Sequence, residues 1–234
     1  MRRIACLAGA FLICGLLVTA GRTAAADVET LVTTIQSVDR GGQGNGAAMA
    51  AWRELAQQDA AAMPQLLAAL DEANPLAANW IRAAIETIGD RTLAANEALP
   101  LAELQQFLDD ASHPPRARRL AFEWIVRADP AAEKALVASF LDDPSVELRR
   151  DAVAQLLEQA DAIYDGDDRQ AALPIYRQAF DASRDPDQVK RAMERLKELG
   201  TEVDVARHYG YVVDWHVIGP FDNTDEKGFA VAYP

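Results

Sequence analysis

Residues 141–157 read LDDPSVELRRDAVAQLL. Asp143 is placed to cap a helix with its carboxylate, and Pro144 suits the first helical turn, where a missing N–H costs nothing. Val146, Val153, Leu156 and Leu157 predict one buried stripe, while Glu147, Arg150, Asp151 and Gln155 are left for solvent or for neighbouring helices. The stretch therefore predicts an amphipathic helix that needs other helices to cover it.

Working outward, the same register occurs twice upstream. An arginine is followed by alanine two residues later and by Ile or Leu six residues later in Arg82, Ala84, Ile88; in Arg119, Ala121, Ile125; and in Arg150, Ala152, Leu156. Each segment follows a Leu-Asp pair (Leu70-Asp71, Leu108-Asp109, Leu141-Asp142) and a proline (Pro75, Pro115, Pro144). The arginines lie 37 and 31 residues apart, a spacing that fits repeats built from helix pairs. In these residues the chain resembles the HEAT family, whose repeats carry an Asp-Pro start and a later arginine on the first helix of each pair. The resemblance implies an α-solenoid, and the full Leu-Asp-Asp-Pro form is present in the third copy.

The periodicity divides residues 47–159 into helix pairs at 47–58 with 63–72, 75–88 with 101–108, and 115–126 with 131–141. Trp52, Leu55, Leu66, Leu67 and Leu70 are expected inside the first pair. Abundant alanine suits close helix approach and has high helix propensity. Trp80 and Trp124 sit beside the shared register and are expected to pack in the core, the alternative being an exposed aromatic that meets a partner.

Ahead of the pairs, residues 27–46 form a capping helix and a linker. Val28, Leu31, Val32, Ile35 and Val38 share a helical face, with Asp27 as its cap, and would cover the open end of the array. The Gly41-Gly42-Gln43-Gly44-Asn45-Gly46 run follows no strand and precedes no Lys-Ser/Thr, so it reads as a linker and not as a phosphate-binding loop.

Residues 1–26 read as a secretory signal peptide: Arg2 and Arg3, an uncharged run over residues 4–18, then Ala24-Ala25-Ala26. That run spans 15 residues, short of the roughly 20 that cross a bilayer. Cleavage is expected between Ala26 and Asp27, which makes the protein exported, periplasmic or extracellular, with no stable membrane insertion afterwards. Ile13 ahead of Cys14 is too large for a lipidation site. Cys6 and Cys14, the only two cysteines of the chain, leave with the leader, so stability must come from packing. Removal of Arg2, Arg3 and Arg22 lowers Lys+Arg from 23 to 20 against 36 acidic residues, a formal charge of −16. Such a surface disfavours nucleic acid and anionic lipid.

Beyond residue 159 the pattern changes. In YDGDDRQAALPIYRQAFDAS, Ala172, Tyr176 and Ala179 follow a short acidic turn at four- and three-residue steps. Residues 160–200 thereby resemble a degenerate tetratricopeptide pair, without its early tryptophan, and Gly200 is expected to cap the final helix. Asp165, Asp167 and Asp168 lack the glycine and glutamate of a calcium loop and read as a solvated turn. His113, His208 and His216 have no metal or triad spacing.

In residues 201–234 the period becomes extended. Residues 211–218, YVVDWHVI, are rich in β-branched and aromatic side chains and stop at Gly219-Pro220, and a second extended run is expected over 229–233. Trp215-His216-Val217-Ile218-Gly219-Pro220-Phe221 resembles the opening strand of β-sandwich domains in large secreted bacterial proteins, some of which carry transglutaminase-like or carbohydrate-active modules. That resemblance implies the start of a further domain and transfers no catalytic residue.

The expected function is a non-catalytic scaffold or spacer that binds a protein or acidic peptide, an anionic glycan being the lesser alternative, with no cofactor. The runner-up is the N-terminal accessory region of a secreted enzyme. Arg118 and Arg149, each one residue before the shared arginine on successive first helices, are with nearby Arg116 the candidate partner-binding strip, since guanidinium groups grip carboxylates bidentately. Pairing of these arginines with local acids such as Asp142, Asp143 and Glu147 is the competing expectation.

Overall fold

The structure, a computed structural model, describes residues 27–219 and 223–230; the leader expected over residues 1–26, with Ala26, lies outside them. Among the described residues the chain is helical and contains no strand: α1 (Val28–Gln36), α2 (Asn45–Leu55), α3 (Met63–Ala68), α4 (Pro75–Ala94), α5 (Leu101–Asp109), α6 (Pro115–Ala128), α7 (Glu133–Ser139), α8 (Val146–Tyr164), α9 (Leu173–Ala182), α10 (Pro186–Glu198) and the single turn α11 (Val205–His208). No helix among them is long and apolar enough to cross a membrane.

Local chemistry sets the helix ends. Asn74 accepts hydrogen bonds from the Leu76 and Ala77 N–H groups, and Pro75 begins α4 without forfeiting a donor. The same Asn74 donates its amide to the Val38 carbonyl at 2.9 Å, which fastens the exit of α1 to the entry of α4. At the far end Gly200 takes φ of 82°, its N–H reaches Lys197 O, and the Thr201 N–H reaches Leu196 O. This is the glycine-closed end expected for α10. Asp27 occupies the cap position of α1, but its side chain accepts no capping bond.

The start of α8 corrects the sequence reading. Ser145, not Asp143, caps the helix by accepting the Leu148 N–H, and the helix begins at Val146. Asp143 instead accepts the Ser145 N–H at 2.8 Å and turns its carboxylate toward α6. The later start moves the buried stripe: Val146 is 54% exposed, whereas Leu148, Ala152, Val153 and Leu157 are buried. Leu156 is half-buried.

The main helix contacts run between elements close in the chain. α1 and α2 pack on each other and on α4; α3 meets α4, α5 and α6; α5 lies on α6; α6 and α7 lie on α8; α8, α9 and α10 pack together. Two apolar cores result, one from Leu31 to Ala152 and one from Val153 to Leu199, so that α8 serves both. Ala84, Ala121 and Ala152, the shared alanines of the three aligned segments, are all buried, as are Ile88 and Ile125. Trp124 is buried and covers Gly89 of α4, while Trp80 is half-buried and stands edge-on to Trp52 with ring centroids 6.4 Å apart.

The extended run at residues 211–218 does not form a strand. A strand is stabilised by the ladder of a neighbour, and among the described residues none lies beside it. Tyr211, Val212, Trp215, Val217 and Ile218 are each well over half exposed. Residues Thr224–Ala230 form a 3-10 segment, so the second expected run does not start as a strand at residue 229; its remainder, 231–233, lies outside the described residues.

Candidate interaction surface

The three aligned arginines do one job. Arg82 on α4 reaches Glu86 one turn along and Glu123 on α6 at 3.7 Å. Arg119 on α6 reaches Glu123 one turn along and Asp151 on α8. Arg150 on α8 grips Asp187 on α10 at 2.7 Å, with Asp185 at 3.2 Å. A second set of pairs ties the same helices further along: Arg127 to Asp90 at 2.5 Å between α6 and α4, and Arg191 and Arg195 to Asp161 between α10 and α8. The Arg150 guanidinium draws Asp187 down to about 2. At Asp161, burial pushes the pKa up, but the Tyr176 hydroxyl and the two arginines outweigh it and hold the group below the usual carboxylate range. Pairs this exposed each contribute little; it is their repetition that ties α4, α6, α8 and α10 to one another.

The strip expected from Arg116, Arg118 and Arg149 is not an open surface. Arg118 is 3% exposed, forms a bidentate pair with Asp143 at 2.9 and 2.6 Å, and donates through Nε to the Leu108 carbonyl at 2.7 Å. It is an internal staple joining α5, α6 and the entry to α8. Arg116 spends one Nη on the Leu70 and Ala73 carbonyls at 2.9 and 3.0 Å. The physical reason is the supply of donors: carbonyls at the end of α5 and in the loop after α3 lack intrahelical partners, and the arginines in the first turn of α6 supply them.

Arg149 does face an opening. Between the entry of α8 and α9 lies a groove of about 450 Å³, lined by Arg149, Arg177 and Arg184 together with Leu141, Asp142 and Asp181. Arg149 donates to the Asp143 carbonyl at 2.8 Å, and Arg184 donates to the carbonyls of Asp181 and Ser183 at 2.9 and 2.6 Å. Neither forms an ion pair with a carboxylate among the described residues, and half-buried Arg177 has no hydrogen bond or ion pair there. Three arginines thus line one groove without a close ion pair among the described residues, in a chain of net charge −13; Asp142 and Asp181 line it too, and Arg149 helps lower the pKa of the Asp143 carboxylate. Arg177 and Arg184 lie outside the shared register; the signal they do give is that Arg177 shares α9 with the Tyr176 and Ala179 pattern and Arg184 lies just past its end.

The other candidate residues have structural partners or none. His113 pairs through Nδ1 with Asp71 at 2.7 Å and stacks on Phe107, and His208 bonds the Ser183 carbonyl at 2.9 Å. His216 stands in the exposed run. Asp165, Asp167 and Asp168 lie in an exposed turn, and no group of three or more His, Cys, Asp or Glu side chains among the described residues could hold a metal ion. No protein-family model matches the chain, and no curated protein or solved structure does.

Proposed function

We propose that the chain is an exported HEAT-like array, merging into a tetratricopeptide-like pair, that binds an acidic protein or peptide in the groove of Arg149, Arg177 and Arg184. The observation that carries this reading is the gathering of three arginines along one open groove, none in a close ion pair among the described residues, in an otherwise strongly acidic chain. The proposed array would supply the platform: the Arg82, Arg119 and Arg150 pairs link α4, α6, α8 and α10, and the groove lies between the entry of α8 and α9. Planar guanidinium groups favour carboxylates, which they can take two bonds at a time.

The test uses a fluorescein-labelled glutamate-rich peptide. Wild-type protein should bind it, and raising salt should weaken binding as surface charge is screened. Arg177→Ala with Arg184→Ala should weaken it at least tenfold while the melting temperature stays unchanged. Equal binding by both proteins would refute the groove; a sulfated glycan bound in preference to the peptide would refute the choice of ligand. Export has its own readout, since the Ala24-Ala25-Ala26 ending requires the secreted chain to begin at Asp27. Mass spectrometry finding Met1 on material outside the cell would contradict that.

A further inference from the structure

We infer that residues 211–219 are a pairing strand through which two copies of this chain associate antiparallel about a two-fold axis centred on Trp215. The run leaves α11 at Gly210 and is exposed throughout. Its only backbone hydrogen bond among the described residues is at its first residue, from the Tyr211 N–H to the Ala206 carbonyl. The following residues present a free row of N–H and C=O groups, and a row of that kind is a template for another strand.

The side chains say which strand. Successive residues of an extended chain point to opposite faces. Tyr211, Val213, Trp215 and Val217 share one face and are apolar, while Asp214 and His216 fall on the other, between Val212 and Ile218. In an antiparallel pair centred on Trp215, Val213 of one copy stands opposite Val217 of the other, Val212 opposite Ile218, and Asp214 opposite His216. That last pair occurs twice by symmetry, each time with a carboxylate facing an imidazole that can donate to it. A shift of one or two residues loses this match and sets Asp214 against apolar side chains or a like group. The run is therefore self-complementary in apolar face and in polar pairing at a single register, as an isologous two-fold contact requires. Asp214 now lies 3.5 Å from Nη2 of Arg207, but both side chains are mostly exposed, 86% and 71%, so that contact is an easy one to exchange.

Two-stranded ribbons are marginal alone, so the association is weak and concentration-dependent. Sedimentation equilibrium over a broad concentration range on the full chain should show a monomer–dimer equilibrium. Asp214→Lys sets a cation opposite His216 and should weaken the dimer about tenfold. Asp214→Lys combined with His216→Asp re-creates an opposite-charge pair at the same register and should restore it. A chain monomeric at all concentrations would overturn the proposal. So would a dimer indifferent to Asp214→Lys, or one that the double exchange fails to restore. Because Asp214 and His216 are exposed and lie outside both cores, none of these changes should alter the melting temperature.

Discussion

Arg118→Ala is expected to destabilise the fold by about 3–5 kcal/mol, the usual cost of removing one partner of a buried ion pair. The guanidinium is 3% exposed and Asp143 only 9%, so neither charge can fall back on water. Removing Arg118 strands the Asp143 carboxylate and leaves the Leu108 carbonyl without its side-chain donor. Urea denaturation should show the loss as a lower midpoint with little change in slope. Asp143→Ala made on top of Arg118→Ala should cost much less than Asp143→Ala alone, because the two act as one unit. Acid titration should agree. Burial pushes Asp143 up, yet Arg118, the Ser145 N–H and Arg149 together hold it below the ordinary carboxylate value. A lowered folded-state pKa contributes stability that is present above the unfolded value, near 4, and is lost as pH falls through the folded one. The wild type should therefore lose stability below about pH 4, and Arg118→Ala should flatten that dependence.

The second large effect is expected at Gly89. A Cβ built there would sit 2.5 Å from Cζ3 and 2.7 Å from Cζ2 of Trp124, inside any real carbon–carbon contact. Alanine has the better helix propensity by about 1 kcal/mol, which by itself would make Gly89→Ala stabilising. Trp124 cannot withdraw, however, because it is 3% exposed and has the Arg127 guanidinium 4.7 Å from its ring centroid. Overpacking should win and leave a net loss of about 2–3 kcal/mol. Trp124→Phe in the Gly89→Ala background should recover part of it, and a thermal melt compares all three chains.

The features legible in sequence were those set by neighbours within one or two helical turns. The Arg-Ala-Ile/Leu register picks out three buried alanines and three arginines that pair α4 with α6, α6 with α8 and α8 with α10, and Gly200 is legible as a helix end. For Arg118 the competing expectation holds, since it pairs with Asp143, one of the local acids named for it; what local sequence does not reveal is the burial of that pair and the capping of α8 by Ser145. One reassigned cap then displaced the buried stripe of α8 from Val146 to Leu148. The run at residues 211–218 has the composition of a strand, but composition cannot furnish a ladder partner. The groove is not legible for a related reason: Arg149, Arg177 and Arg184 line one opening only once α8 and α9 pack.

In the array proposed above, each helix is stabilised chiefly by its neighbours. In such an array local damage stays local, whereas in a single cooperative body it spreads. Leu196 is fully buried in the second core, and Leu196→Ala should cost about 2–5 kcal/mol there. Hydrogen exchange followed by mass spectrometry on the wild type and Leu196→Ala is the most direct measurement. An array requires protection to fall in α9 and α10 and in the second half of α8 while α1 to α6 exchange as before; an equal loss of protection across α1 to α10 would contradict it.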